Sequence, residues 1–172
     1  SVVGDSANIY TMIDTPSTYS LNNSLNFSVW YGNNGNLVAD DTVLTIQLPV
    51  DVTYNGQLAG LVSCSYLSLE HAIECPIGSL ISTTNEQLDF SVNVGSNLWL
   101  LTWWVPLVFT SSIVTTTSEL NTLDNIAADQ SIPTIGDASN IHGMVYLDSQ
   151  SNGQYDTGDH YTPWQSILLA WS

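Results

Sequence analysis

The residues best suited to chemistry form a twelve-residue polar stretch, DSQSNGQYDTGD, that runs from Asp148 to Asp159. In an EF-hand-type loop the ligands occupy positions 1, 3, 5, 7, 9 and 12, and glycine occupies position 6. Gly153 falls at that sixth position. The predicted ligands are Asp148, Gln150, Asn152, Gln154 through its backbone carbonyl, Asp156 and Asp159.

Oxygen ligands that include three carboxylates predict a hard cation, and we expect a structural calcium ion. Asp159 stands where a bidentate glutamate is usual, so magnesium is a competitor for the site. The alternative is a polar turn that holds no ion.

The two cysteines, Cys64 and Cys75, are close in sequence. Such a pair predicts one disulfide and an oxidising compartment. A metal site is the alternative, but His71 is the only further ligand nearby.

Catalytic residues are harder to assign. The chain has three histidines and many serines, so a Ser-His-Asp triad is conceivable on paper. It has neither a nucleophile-elbow motif nor an HExxH motif. We therefore predict that the protein is not an enzyme.

The charge balance excludes several partners. There are 16 acidic residues and no lysine or arginine, which gives a net charge of −16. Binding to nucleic acid phosphates or to anionic lipid needs basic side chains, so neither is expected. The longest apolar run, residues 98–109, is too short to span a bilayer and contains Pro106.

The composition also indicates where the protein works. Charged residues are only 9% of the chain, so Ser, Thr, Asn and Gln must build most of its surface. A halophilic acidic coat would carry more carboxylates than this. With Ser1 as the first residue, we expect a processed, secreted form located outside the cell or on its surface.

Short apolar runs separated by Asn, Gly, Asp and Pro predict an antiparallel β-sandwich. Residues 25–31, for example, alternate apolar and polar side chains with a period of two. We predict strands near residues 7–13, 24–31, 42–48, 52–54, 60–66, 87–94, 99–108 and 112–118. The predicted domains are the sandwich (1–120), a connector (121–139) and a partial calcium-loop module (140–172).

Residues 14–94 resemble the conserved-repeat surface domain of bacteria and archaea (domain of unknown function eleven). The resemblance rests on LNFSVWYGNNGNLVADD, VLTIQLPVDVTYNG, Cys64 with CPIGSL, and QLDFSVNV, in that order. It implies an immunoglobulin-like sandwich.

Residues 140–172 resemble the start of the B-like repeats of Ser-Asp-repeat adhesins, through GMVYLDSQSNGQYDTGD and the strand that follows. That family is a calcium-loaded stalk module, of which only about the first two strands are present here. The expected fold is therefore all-β, an immunoglobulin-like antiparallel β-sandwich plus a C-terminal β-hairpin carrying an EF-hand-like calcium loop.

The run LWLLTWWVPLVF (98–109) is apolar on both faces of a strand. A single sandwich covers only one face, so the second face needs a partner. We predict a subunit interface made by Trp99, Trp103, Trp104, Leu107 and Phe109. The alternative is packing on the connector or on the C-terminal hairpin of the same chain.

Two sequons, NNS at Asn22 and NFS at Asn26, are predicted N-glycosylation sites, although such triplets also arise by chance. Asn26 alternates with Leu25 and Phe27, which places it on the outer face.

Together these features predict a secreted structural subunit of an extracellular filament or pilus-like fibre. It would assemble with itself head to tail by apolar contact, or by a terminal strand (1–13 or the 140–172 hairpin) that completes a neighbour's sheet. The alternative is a cell-surface adhesin or glycan-binding module that uses Trp99, Trp103 and Trp104 as a stacking platform.

Overall fold

A computed structural model describes residues 5–96, 105–119 and 121–134, together with two short strands at 146–147 and 160–161. Within these ranges no helix has the length and apolarity needed to cross a membrane. The described residues form twelve strands. They are β1 (Ile9–Asp14), β2 (Thr18–Tyr19), β3 (Ser24–Asn33), β4 (Ala39–Gln47), β5 (Val52–Ala59), β6 (Ser65–Leu67), β7 (Ala72–Leu80), β8 (Thr84–Val94), β9 (Leu107–Val114), β10 (Ile126–Pro133), β11 (Tyr146–Leu147) and β12 (His160–Tyr161).

The chain divides into two compact units, Ser1–Gly136 and Asp137–Ser172. In the first unit, a four-stranded sheet with the order β1-β3-β8-β5 faces a six-stranded sheet with the order β2-β10-β9-β4-β7-β6. All strand pairs are antiparallel except β2 with β10. In the second unit, β11 pairs with β12 as an antiparallel hairpin. The predicted all-β sandwich with a C-terminal hairpin is confirmed.

Alternation of apolar side chains builds the core between the two sheets. On β3, Leu25, Phe27, Val29 and Tyr31 are buried, as their period of two predicts. The Phe27 ring lies 5.5 Å from that of Phe90 and 4.9 Å from that of Phe109. These aromatic contacts join β3 and β8 of one sheet to β9 of the other.

The sheet continues beyond the predicted end of the sandwich at residue 120. Ile126–Pro133, which the sequence placed in the connector 121–139, forms β10 and pairs with β9. Two separate strands were expected near 99–108 and 112–118. Residues 99–104 lie outside the described residues, and the described part forms one strand, β9, that runs without interruption through residues 108–112. Ser111 lies inside the core and its hydroxyl accepts a 3.0 Å hydrogen bond from Thr11, which explains a polar residue in mid-strand.

The N-terminal strand completes its own chain's sheet. β1 pairs with β3 through residues Ile9–Asp14. On its other side, the Ala7 and Thr11 N–H groups donate to the Ser118 and Asp124 carbonyls at 3.1 and 3.0 Å. β1 is therefore the end strand of its own sheet, with two further backbone bonds to the residues after β9, and its exchange into a neighbour stays a prediction.

Asp129 of β10 holds the segment between β1 and β2. Its Oδ2 accepts hydrogen bonds from the Thr15 N–H (2.7 Å) and the Thr15 hydroxyl (2.9 Å). Burial raises the pKa of Asp129, but the bonds from Thr15 and from the Gln130 N–H outweigh burial and lower the pKa below its usual value. The ionised carboxylate is thus the form that the fold stabilises.

Replacing Asp129 with asparagine should lower the free energy of unfolding by about 1 kcal/mol at neutral pH, because the charged acceptor is lost. The pKa of Asp129 is lower in the folded protein than in the unfolded chain. The stabilisation that ionised Asp129 gives is therefore complete above its unfolded pKa of about 4, and it is lost as the pH falls through the folded pKa. Urea unfolding of both proteins at stepped pH should show the difference shrinking in acid. A difference that stays constant into strong acid contradicts this assignment.

Candidate functional site

The predicted disulfide is present. Cys64 and Cys75 are joined with their Cα atoms 4.3 Å apart. Cys64 precedes β6 and Cys75 lies in β7, so the bond closes the hairpin that these strands form. Both thiols are therefore used, which excludes the alternative of a metal site at these cysteines.

His71 lies at the turn of the same hairpin. One ring nitrogen, Nδ1, is 2.7 Å from the Tyr66 hydroxyl, and Nε2 is 2.8 Å from the Pro49 carbonyl oxygen. Because a carbonyl only accepts, Nε2 carries a proton and donates to Pro49, and in the neutral ring Nδ1 then accepts from the Tyr66 hydroxyl. The Tyr66 ring also stacks on Tyr54, with centroids 5.2 Å apart. His71 therefore ties the β4–β5 turn to the hairpin.

The predicted glycosylation sites are accessible. Asn22 is exposed in the turn before β3. Asn26 is exposed on the outer face of β3, between buried Leu25 and Phe27. Whether either site carries a glycan stays a prediction.

The predicted subunit interface needs correction. Leu107 and Phe109 are fully buried between the two sheets, so neither is available at the surface. Their side chains alternate with Val108, which points outward and is 45% exposed. Trp99, Trp103 and Trp104 lie outside the described residues.

The structure presents instead a broad outer face on the six-stranded sheet. Direct cross-strand partners share a face, and the registers of β9 with β10 and with β4 connect one continuous set of outward positions. We term it the uncharged face: Val108, Thr110, Ser112 and Val114 of β9; Ile126, Ala128, Gln130 and Ile132 of β10; and Val43, Thr45 and Gln47 of β4. None of these side chains carries a charge.

Four branched aliphatic side chains on the uncharged face are open to solvent. Val108 is 45% exposed, Val114 59%, Ile126 64% and Ile132 40%. The next strand, β7, contributes Glu74, which is exposed opposite Thr45 and marks the border of the face.

A second surface lies on the outer side of the four-stranded sheet. An open groove is lined there by Tyr10, Met12, Ile13, Asp14, Trp30 and Asn85. Met12 pairs with Trp30 across β1 and β3, and the Tyr10 ring covers Gly32, where a Cβ would collide with it. Burial raises the pKa of the Tyr10 hydroxyl, so this group stays protonated and able to donate.

Polar side chains continue this surface beside the groove. The Ser28 hydroxyl and the Gln87 amide both donate to Asp89 Oδ1 at 2.7 Å. Gln87 is the cross-strand partner of Trp30. An aromatic ring with neighbouring amide and carboxylate groups suits a neutral, hydroxyl-rich ligand.

The six predicted calcium ligands, Asp148, Gln150, Asn152, Gln154, Asp156 and Asp159, lie outside the described residues. The strands that flank them are described. Leu147 pairs with His160, and these are the residues that come directly before and after the twelve-residue stretch. Elsewhere, in residues 5–96, 105–119 and 121–134, no three His, Cys, Asp or Glu side chains form a group that suits a metal ion.

No protein-family model matches the chain, and no curated protein matches it. The resemblances to the conserved-repeat and B-like modules therefore stay predictions. Solved structures do match. The CARDB domain of the PF1109 protein from Pyrococcus furiosus, solved in complex with di-metal ions, has a TM-score of 0.52 at 13% identity over 77% of this chain and 97% of that domain.

The solution NMR structure of the same CARDB domain gives a TM-score of 0.50 at 16% identity, over 77% of this chain and all 100% of that domain. The collagen-binding domain of a Staphylococcus aureus adhesin gives 0.47 at 6% identity, over 72% of this chain and 97% of that domain. At these identities the likeness concerns the fold, an immunoglobulin-like β-sandwich.

Proposed function

We propose that this protein is an extracellular structural subunit that packs against copies of itself through the uncharged face, building a fibre. The observation that carries the proposal is the absence of charge from that face in a chain whose net charge is −16. The proposal includes no catalytic role.

Self-association of such a chain is opposed by its own charge. With no lysine or arginine, two copies cannot form lysine or arginine ion pairs across a contact, and carboxylates brought together repel each other. Contact is favourable only where both surfaces lack carboxylates and bury apolar area. Val108, Val114 and Ile126 supply that area on the uncharged face.

The disulfide supports the extracellular part of the proposal. A bond between Cys64 and Cys75 persists in an oxidising compartment and is rare in the cytosol. Two accessible sequons, at Asn22 and Asn26, agree with such a location.

Light scattering after size-exclusion chromatography tests the self-association. The average mass should rise with protein concentration, and it should rise further in high salt, which screens the carboxylates. A mass that remains that of the monomer, 18.7 kDa, across the accessible concentration and salt range contradicts the proposal.

We further propose that calcium bound by the loop 148–159 rigidifies the C-terminal hairpin. The chain has no lysine or arginine to offset the charge of Asp148, Asp156 and Asp159, and a divalent cation would do so.

Chelation with EDTA should then expose the hairpin to chymotrypsin, which has aromatic targets there such as Tyr155 and Trp164, while the disulfide-containing sandwich stays resistant. The Asp148→Asn/Asp156→Asn double variant should be cleaved at the same rate with or without calcium. If wild-type cleavage is unchanged by EDTA, the stretch is a polar turn.

The second candidate is a cell-surface glycan-binding module. The groove that contains Trp30 favours a glycan ligand, because hydrogen-bonding groups lie beside the flat indole ring. None of the residues that line the groove is a cation, which an anionic ligand would need. A glycan screen separates the two functions. Saturable binding that Trp30→Ala abolishes supports the module, and a fibre subunit should show none.

A further inference from the structure

In the part of the chain that the structure describes, the first residues of β3 lack a neighbouring strand on one side. β8 pairs with β3 over its whole length, from Ser24 to Asn33. β1 pairs only with the later part of β3, and its last pair joins Asp14 to Ser28. Residues 24–27 are therefore left uncovered on the side of β1, and we term this stretch the open edge of β3.

The edge is open because the chain crosses to the other sheet after β1. Asp129 of β10 binds both the N–H and the hydroxyl of Thr15, and the Ser17 carbonyl accepts a 3.0 Å hydrogen bond from the Ile132 N–H. Pro16, between them, has no N–H that could bond to β3. β2 consequently pairs with β10, and β1 does not continue along β3.

The strand register shows which backbone groups face the open edge. The Val94 N–H donates to the Asn23 carbonyl at 2.9 Å, so the odd-numbered residues of β3 exchange hydrogen bonds with β8. The backbone N–H and C=O groups of Ser24 and Asn26 therefore point the other way, towards the open edge. Within the described residues, no backbone hydrogen bond satisfies these groups on that side.

An uncharged cleft of about 400 Å³ lies along the open edge. It is lined by β2 with Pro16 and Ser20, and by the start of β3 with Val94. None of the lining residues is charged, although the net charge of the chain is −16. Thr18, which lines the cleft, is the cross-strand partner of Ile132, so the cleft adjoins the uncharged face.

The chemistry of the cleft selects an extended, uncharged peptide. Unpaired backbone donors and acceptors at the edge of a sheet bind a further strand. That strand must bring no carboxylate, because the chain has no lysine or arginine to pair with it. Residues 162–172, TPWQSILLAWS, contain no charged side chain and are rich in apolar ones.

We propose that the open edge of β3 accepts residues 162–172 of a second copy of this chain as an added strand in line with β1. The two backbones exchange hydrogen bonds at Ser24 and Asn26, and alternate side chains of the added strand enter the cleft. The inference rests on the proposed self-association, but it uses a different surface from the uncharged face. Because the donor segment and the acceptor edge differ, the contact is head to tail and extends into a fibre.

Hydrogen exchange, followed by NMR, tests the edge in the full chain carrying Ala128→Glu, a charge placed on the uncharged face to keep the protein monomeric. The Asn26 N–H should exchange fast, whereas the N–H groups of Leu25 and Phe27, which bond to β8, should be protected. The synthetic peptide TPWQSILLAWS should slow exchange at Asn26 saturably. The peptide with Leu168→Pro/Leu169→Pro, which cannot pair as a strand, should not.

Substitution of Asn26 gives a second readout, the affinity for the same peptide measured by calorimetric titration. Asn26→Pro removes the N–H that faces the open edge and none of the bonds to β8, so it should weaken binding at least about fivefold while the domain stays folded. Asn26→Gln keeps the N–H and removes the sequon as proline does. It is the matched control and should bind like the unsubstituted chain.

Three results would overturn the proposal. The first is an Asn26 N–H that is already protected in the dilute protein, which would mean that the chain covers its own edge. The second is exchange at Asn26 that millimolar peptide leaves unchanged, a result that needs no substitution at this position. The third is equal peptide affinity of folded Asn26→Pro and Asn26→Gln. None of these results depends on contact through the uncharged face, so the two proposals fail separately.

Discussion

Replacing Asn33 with alanine should lower the free energy of unfolding by about 3 kcal/mol, a large part of the stability of a typical domain. The Asn33 side chain is fully buried and uses its whole hydrogen-bonding capacity. Its Nδ2 donates to the carbonyls of Leu37 (2.7 Å) and Leu80 (2.9 Å). Its Oδ1 accepts from the N–H groups of Asn8 (3.1 Å) and Gly35 (2.9 Å).

Alanine at position 33 would leave the buried Leu80 carbonyl, the partly buried Leu37 carbonyl and two N–H groups without this partner, and each buried group costs about 1–3 kcal/mol unless water reaches it. The neighbouring Asn34→Ala is the matched control. Because the Asn34 side chain is exposed, this substitution should alter the free energy of unfolding by no more than about 0.5 kcal/mol. Urea unfolding of the two variants and of the wild type measures the change in the free energy of unfolding that each substitution causes. Equal stability of Asn33→Ala and Asn34→Ala contradicts the role given to Asn33.

A glutamate at position 128 should raise the protein concentration needed for self-association by about tenfold or more. Ala128 is exposed near the centre of the uncharged face, opposite Thr110. In a packed contact the new carboxylate would lose water and meet no lysine or arginine, since the chain has neither. The isolated fold should be nearly unaffected, because the side chain points to solvent in the monomer.

The matched control is Ala59→Glu, the same substitution at an exposed strand residue of the other sheet, opposite Asp89. It adds the same net charge outside the uncharged face, so its assembly should remain close to that of the wild type. Concentration-dependent light scattering of the three proteins is the measurement. Equal loss of assembly in both variants would show that net charge, and not the uncharged face, controls association.

Strands with strict alternation could be predicted from the sequence. On β3, Leu25 and Phe27 alternate with polar neighbours, and the strand lies within a few residues of the predicted bounds. The cysteine spacing likewise predicted the disulfide between Cys64 and Cys75. In both cases the signal is local, so a short stretch of sequence contains it.

β10 could not be predicted in this way, because its pattern is reversed. Ser131 is buried and Asp129 turns towards Thr15, while Ile126 and Ile132 face solvent. A strand that buries polar residues and exposes apolar ones looks like a connector in sequence. The same reversal is what creates the uncharged face, so the missed strand and the missed surface have one cause.

The interface residues were predicted from a run that is apolar on both faces. The structure shows that Leu107 and Phe109 pack in the core and that the Val108 side chain faces solvent. When both faces of a strand are apolar, the sequence alone does not say which face points into the core.

Electron microscopy of the purified wild-type protein at high concentration, with calcium present, tests the central claim most directly. The proposed function predicts regular fibres in which the uncharged face of each subunit contacts a neighbouring copy, and a reconstruction should place Val108 and Ile126 in that contact. Monodisperse monomers under these conditions would contradict it, as would fibres in which the uncharged face remains open to solvent.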